Sequence, residues 1–355
     1  MAEDFIHIQA TAANLGLILN CSKCEIVGHT VESRDHFISK GILLPETETQ
    51  ETVLLGSPLF EGSCLNKILS AKRAELSLST KRLAFMPSYD SLFFLRFVIA
   101  MPRLLYTLRT APCSGNPELC LYDNLIRETI STTLNIDLNE NRWNQASLPV
   151  RWGGLGIRSA VMLAPSAYLA SAAGTLDLTT RILPDRLRDS EDSYVKSAMD
   201  AWSISSGGSD HTTIVPSSQR SWDDVCCRSV SDDLLNNSTN DSDRARLLAS
   251  RSDSGDWLNA VPLQAVGLKL DNEAVRIAIG LRLGAPLVHP HTCVCGVAVS
   301  ADAHHGLACR RSAVVIPATI ISTTSCNEPS TVQVSSRLVR RFVTYMAPSE
   351  ERYCV

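Results

Sequence analysis

Residues 289–309 read His-Pro-His-Thr-Cys-Val-Cys-Gly-Val-Ala-Val-Ser-Ala-Asp-Ala-His-His-Gly-Leu-Ala-Cys, and no other stretch constrains the fold so tightly. Cys293 and Cys295 form a C-x-C pair, nine residues follow, and His305 and Cys309 form an H-x3-C pair. Zinc takes four Cys or His ligands at tetrahedral reach, with a loop between the ligand pairs, and this segment supplies that set. Gly296 and Gly306 are expected to let the backbone turn beside the ligands. With all four positions filled by protein the ion would be structural, since a catalytic zinc keeps one position open. The bland alternative is buried cysteines beside exposed histidines on a loop. Adjacent His304 and His305 are not separated by spacing alone.

The rest of the sequence sets the context. A chain of 355 residues is long enough for two or three domains. Its 12 cysteines come without a visible signal peptide, which argues for metal sites or buried thiols over a disulfide scaffold. The net charge of −4 excludes a uniformly basic nucleic-acid binder but not a local basic face. The uncharged run 160–176 contains Pro165 and Gly174, and 91–108 is interrupted by Arg96, Pro102 and Arg103. Neither reads as a membrane span, so we expect a soluble, intracellular protein without a membrane partner.

The expected fold is mainly α with a small N-terminal α/β element. Residues 2–17 read as a helix, and 17–21 and 24–29 as short strands around a turn at Ser22-Lys23. A further strand at 51–55 ends at Gly56-Ser57-Pro58. Helices are expected at 62–85, 89–108, 117–135 and 159–174, with 148–157 a glycine-rich loop. Residues 256–288 read as two short helices split near Gly267. Composition shifts near 176, and Ser/Gly/Thr-rich stretches suggest a mobile connection at 203–221. The domain scheme is therefore 1–60, 61–175, 176–288, a Cys/His segment 289–312, and a poorly ordered tail 313–355.

Charge is uneven. Between 67 and 109 eight Lys/Arg face two acids, a local +6; between 177 and 256 fifteen acids face nine bases, a local −6. Lys72, Arg73, Lys81 and Arg82 recur near helical spacing among Leu and Phe, which suits either a nucleic-acid backbone or a solvated helix face. Cys21-x-x-Cys24 is read as strand residues, since no second ligand pair is near. Asp223-Asp224 and Asp232-Asp233 are expected in first-turn or capping roles. Arg151-Trp152-Gly-Gly-Leu-Gly156 is read as a tight interhelical turn with a packed Trp. No nucleophile–base arrangement has supporting context.

Several segments, in order, resemble non-LTR retrotransposon reverse transcriptases, which are RNA-directed DNA polymerases. Ala12-Ala-Asn-Leu-Gly-Leu-Ile-Leu-Asn-Cys-Ser-Lys-Cys-Glu25 resembles the segment after their catalytic aspartates. Leu54-Leu-Gly-Ser-Pro-Leu59 resembles the primer-contacting hairpin, and Leu148-Pro-Val-Arg-Trp-Gly-Gly-Leu-Gly-Ile157 the loop beyond the thumb. Trp257-Leu-Asn-Ala-Val-Pro-Leu263, Arg276-Ile-Ala-Ile-Gly-Leu-Arg-Leu283 and the Cys293…Cys309-Arg-Arg segment resemble the Cys/His region that follows. The similarity is collinear over residues 4–312.

The resemblance implies a partial palm at 1–60, a helical thumb-like region at 61–175 and a zinc-knuckle-like segment. It implies nucleic-acid contacts from Lys23 near the incoming triphosphate and from Leu55, Gly56 and Ser57 at the primer. Lys72, Arg73, Lys81 and Arg82 would lie on the thumb, so RNA or DNA would bind through 67–109. It favours His305 over His304 as the ligand beside Cys293, Cys295 and Cys309. In that family the Mg²⁺-binding aspartates lie on palm strands upstream of the matching region. No Tyr-x-Asp-Asp occurs here, and the likeness fades after Ser312. The expectation is a catalytically incomplete fragment with no catalytic residues, no catalytic Mg²⁺ and residual nucleic-acid binding. The alternative is a zinc-stabilised helical scaffold for protein partners.

Overall fold

A computed structural model describes residues 2–28, 30–183, 192–209, 214–238 and 240–311 of the chain. It is mainly helical, with three two-stranded ladders of two residues each. The expected tail at 313–355 lies outside the described residues.

The N-terminal region begins with α1 (Ala2–Asn14). Next comes a small crossover of β1 (Ile26–Val27), α2 (Val31–Ser39) and β2 (Glu46–Thr47), with Ile26 paired to Glu46 in parallel. Thr30 and Ser33 start α2 as a reciprocal capping box. The expected strand at 17–21 does not form. The Asn20 side chain instead accepts from Ser22 N at 3.1 Å and Ser22 Oγ at 2.7 Å, holding Cys21–Lys23 in a 3₁₀ turn. A hairpin of β3 (Val53–Leu54) and β4 (Ser57–Pro58) turns through Leu55 and Gly56, both at positive φ. The core here is small, built on Ala2, Phe37 and Ile42, and Ile18 is 96% exposed.

The larger body follows from leucine spacing. Leu65, Leu69, Leu76 and Leu83 recur at intervals of four and seven, and form the buried face of α3 (Ser63–Leu83). The helix expected over 89–108 is broken in two. α4 (Ser88–Phe94) passes into a π turn at Leu95–Ile99, and α5 (Met101–Thr110) restarts after Ala100. Pro102 has no N–H, and its ring would clash with the preceding turn, so it starts a new helix. Taken together, Ser88–Thr110 is long and apolar enough to cross a membrane by length and composition, contrary to the expectation for 91–108, but half of its apolar window is buried, including Leu92, Leu104 and Leu108.

α6 (Pro117–Leu134) starts under the Asn116 cap and ends on Asn135 in the left-handed conformation. α7 (Glu140–Ala146) leads into the 148–158 loop and α8 (Ala160–Ile182). Buried Asp123 accepts from Ser159 Oγ at 2.5 Å and Ala160 N at 2.6 Å, fixing the start of α8. Burial raises the pKa of this carboxyl, and these hydrogen bonds offset part of the rise.

α9 (Ser193–Ser205) and α10 (Gln219–Asn236) pack on α8 around Trp202 and Trp222, whose rings meet edge to face at 5.1 Å. Ile214 is buried in that cluster, so the stretch expected to be mobile is anchored at this point; residues 210–213 lie outside the described residues. α11 (Asp241–Ala249) and α12 (Asn272–Leu283) complete the body. Of the two helices expected over 256–288, the first is a 3₁₀ segment (Ser252–Asn259) and a 3₁₀ turn (Gln264–Val266) that ends at left-handed Gly267.

Two parts of the expected domain scheme change. The shift near 176 falls inside α8. Leu258, Leu270, Val275, Ile279 and Leu283 join the same core as α3–α6, so 256–285 belongs to the main body.

Candidate metal centre

The segment after α12 is a hairpin followed by one helical turn. β5 (His291–Thr292) pairs with β6 (Ala298–Val299), and α13 (His305–Ala308) comes next. The hairpin turn is closed by Cys293 N donating to Val297 O at 2.9 Å and Gly296 N donating to Cys293 O at 2.8 Å. Gly296 has φ +88, which a side chain would strain. Gly306, expected to make a second tight turn, lies inside α13.

This geometry gathers Cys293, Cys295, His305 and Cys309, with all four ligand atoms within 4.8 Å of one another. The group can hold a metal ion. Cys293 Sγ and Cys309 Sγ are 3.8 Å apart. A disulfide would need about 2.05 Å. Two thiolates on one tetrahedral zinc, each at about 2.3 Å, stand about 3.8 Å apart. Cys295 Sγ and His305 Nε2 are 3.2 Å apart, a few tenths under the matching S···N edge of about 3.6 Å. Cys293 and Cys309 are buried, while Cys295 and His305 are half-buried. Three thiols and an imidazole form a soft donor set with no position left for solvent or substrate, which suits holding rather than catalysis.

His304 points elsewhere. Its Nδ1 lies 3.4 Å from Ser242 Oγ on α11 and 3.5 Å from Asp302 Oδ2. The four-residue group therefore takes His305. The module is docked on the body through Leu287 N and Val288 N, which donate to Ala301 O at 2.7 and 3.2 Å. Leu287 and Ala303 pack on Ile277 of α12. A Cβ on Gly280 would sit 2.3 Å from Leu287 Cδ2, so a larger residue here would push the Leu287 side chain aside.

The residues expected to contact nucleic acid fare unequally. Ser57 is buried, and its hydroxyl accepts from Thr110 Oγ1 at 2.6 Å, so of the three expected primer-contacting residues Leu55 and Gly56 are exposed and Ser57 is not. Arg73 pairs with Glu118 at 2.9 Å, Lys72 with Glu75 at 3.6 Å, and Lys67 with Glu51 at 2.9 Å. Lys23, Lys81 and Arg82 are exposed, and their side chains make no ion pair or hydrogen bond among the described residues. Phe85, 92% exposed, follows Lys81 and Arg82 at the end of α3.

The 148–158 loop is a socket for two arginines that sequence reasoning passed over. Arg282 of α12 donates to Gly154 O at 3.1 Å and Val150 O at 3.0 Å. Arg96 of the π turn donates to Leu258 O at 3.0 Å and Asn259 Oδ1 at 2.8 Å. A Cβ on Gly156 would meet Arg96 Nε at 2.5 Å, and one on Gly154 would meet Leu148 O at 2.0 Å. Burial lowers the pKa of Arg282 to about 10, with Arg96 adding to the effect. The available signal was an arginine inside each of two apolar helical stretches.

The aspartate pairs do not cap α10; they lie within it. Asp223 pairs with Arg158, and Asp224 with Arg151 and Arg220. Asp232 reaches Arg251 at 3.4 Å. Trp152 is half-buried, donates from Nε1 to Asp224 at 3.3 Å, and has Arg228 and Arg251 each 5.9 Å from its ring. Cys21 and Cys24 each donate to a backbone carbonyl and belong to no metal-ligand group among the described residues. No protein family, curated protein or solved structure matches the chain.

Proposed function

We propose that the chain acts by binding rather than catalysis: a helical nucleic-acid-binding module whose Cys/His segment is stapled by one structural zinc ion. The observation that carries this reading is the three-thiol, one-imidazole cluster, with its 3.8 Å Sγ···Sγ separation. The ion would be held by Cys293, Cys295, His305 and Cys309, and would replace the core that so short a segment lacks.

The nucleic-acid part of the proposal is supported by the collinear resemblance to non-LTR reverse transcriptases and by the unpaired Lys81 and Arg82 beside exposed Phe85. In this reading the chain corresponds to the palm edge, thumb and zinc-knuckle region of such an enzyme. The exposed Leu15, Leu17 and Ile18 support it, as an apolar surface of the kind neighbouring palm strands would cover.

The test is binding of labelled RNA and DNA oligonucleotides across a salt series. Lys81→Gln/Arg82→Gln is expected to flatten the log–log salt slope by about 1.4 to 1.8 and weaken binding evenly across sequences. An unchanged slope would remove this surface from the account.

A second reading, a scaffold for protein partners, is favoured by one observation. A largely apolar cleft of about 1090 Å³ lies between the β3–β4 hairpin and α8, with Leu54, Leu55 and Leu176 exposed along it. Failure to bind either nucleic acid at low salt would favour it.

A further inference from the structure

A cleft of about 700 Å³ opens between α5, the 148–158 loop and the start of α10, away from the Cys/His centre. Five arginines line it: Arg96, Arg109, Arg151, Arg158 and Arg220. Arg96 and Arg109 belong to the basic stretch 67–109, but Arg151, Arg158 and Arg220 lie outside it, so only the fold brings the five together.

Their partners leave a surplus. Arg158 is neutralised by buried Asp223, and Arg151 and Arg220 share Asp224. Asp256 is the other acid on the wall. Arg96 and Arg109 have no carboxylate partner among the described residues. Arg96 donates to a backbone carbonyl and to Asn259, and Arg109 donates to Gln219 Oε1 at 2.9 and 2.7 Å. The five arginines thus face three carboxylates, Asp223 and Asp256 on the wall and Asp224 outside it. Burial pulls the pKa of Arg96 down, as for a cation short of counter-charge. Two helix starts, Met101-Pro102 of α5 and Gln219-Arg220 of α10, also face the cleft and add partial positive charge.

We propose that this cleft is an anion site that takes phosphate groups, held by the Arg96 and Arg109 guanidiniums with Arg151 and Arg220 at the rim. Planar guanidiniums grip phosphate oxygens bidentately, and a partly desolvated setting strengthens that grip. The phosphate is either free or part of a nucleic-acid backbone, since the groups that recognise it are the same. The site stands apart from Lys81 and Arg82 and does not rest on the function proposed above.

The test compares wild type, Arg109→Gln/Arg220→Gln and Lys81→Gln/Arg82→Gln as full chains, with thermal melting as the folding control. Arg109 and Arg220 are exposed, so their replacement should leave melting unchanged. The probes are inorganic pyrophosphate, by calorimetry, and a labelled single-stranded oligonucleotide, by anisotropy. The expected result is about a tenfold loss for at least one probe in Arg109→Gln/Arg220→Gln. Loss for pyrophosphate identifies a free phosphate as sufficient, and loss for the oligonucleotide alone identifies a polymer backbone. Neither probe binding, or both binding equally to wild type and this variant, overturns the site. An oligonucleotide weakened only by Lys81→Gln/Arg82→Gln, with pyrophosphate binding unchanged in Arg109→Gln/Arg220→Gln, overturns it while leaving the proposed function standing.

Discussion

At the residue scale, the account depends on which atoms face each other. His304 and His305 are neighbours in sequence, yet one reaches Ser242 and Asp302 while the other faces Cys295. His305→Ala is expected to abolish stoichiometric zinc and His304→Ala to retain it, measured by metal analysis of purified protein. Equal retention in both would refute the ligand set. The glycine-rich loop makes a second residue-level claim. A methyl on Gly154 would collide with the Leu148 carbonyl, part of a backbone that cannot rotate away like a side chain. Gly154→Ala should cost about 3 kcal/mol in denaturant unfolding, and a neutral result would contradict the socket geometry. The ligand types and the C-x-C…H-x3-C spacing were legible from the sequence because the four ligands lie in one short hairpin-and-turn segment. The arginine socket was not, because Arg96 and Arg282 come from separate helices that only the fold brings together.

At the scale of elements, α10 is fastened to the 148–158 loop by charge as much as by packing. Burial opposes the Arg158 charge, but Asp223 and Cys227 outweigh it and hold the pKa above the usual guanidinium value. Removing one partner strands a buried cation. Asp223→Ala should therefore destabilise the chain by about 3 to 5 kcal/mol, read from denaturant midpoints at constant slope. A change within about 0.5 kcal/mol would mean that the pair is solvated. The long helices α3 and α6 were readable from leucine spacing and caps. The break at Ala100 was flagged in the sequence only by Pro102, because the apolar pattern continues on both sides of it. The strand expected at 17–21 does not form because a local side chain, Asn20, competes with strand pairing.

At the scale of the whole molecule, one core gathers α3 to α6, part of α8 and the returning segment 256–285. The Cys/His module hangs from this body at α12, through a small contact of Ile277, Leu287 and Ala303. Its own cluster is little more than Cys293, Val299 and Cys309. A few side chains cannot hold such a segment against chain entropy, and in the function proposed above a bound ion would supply the difference. The most direct measurement is zinc K-edge X-ray absorption on the purified full chain. The account predicts one zinc per chain with three sulfur neighbours near 2.3 Å and one nitrogen near 2.0 Å. A chain purified without bound metal that takes up none when zinc is supplied, or a zinc with oxygen in its inner shell, would contradict a structural centre.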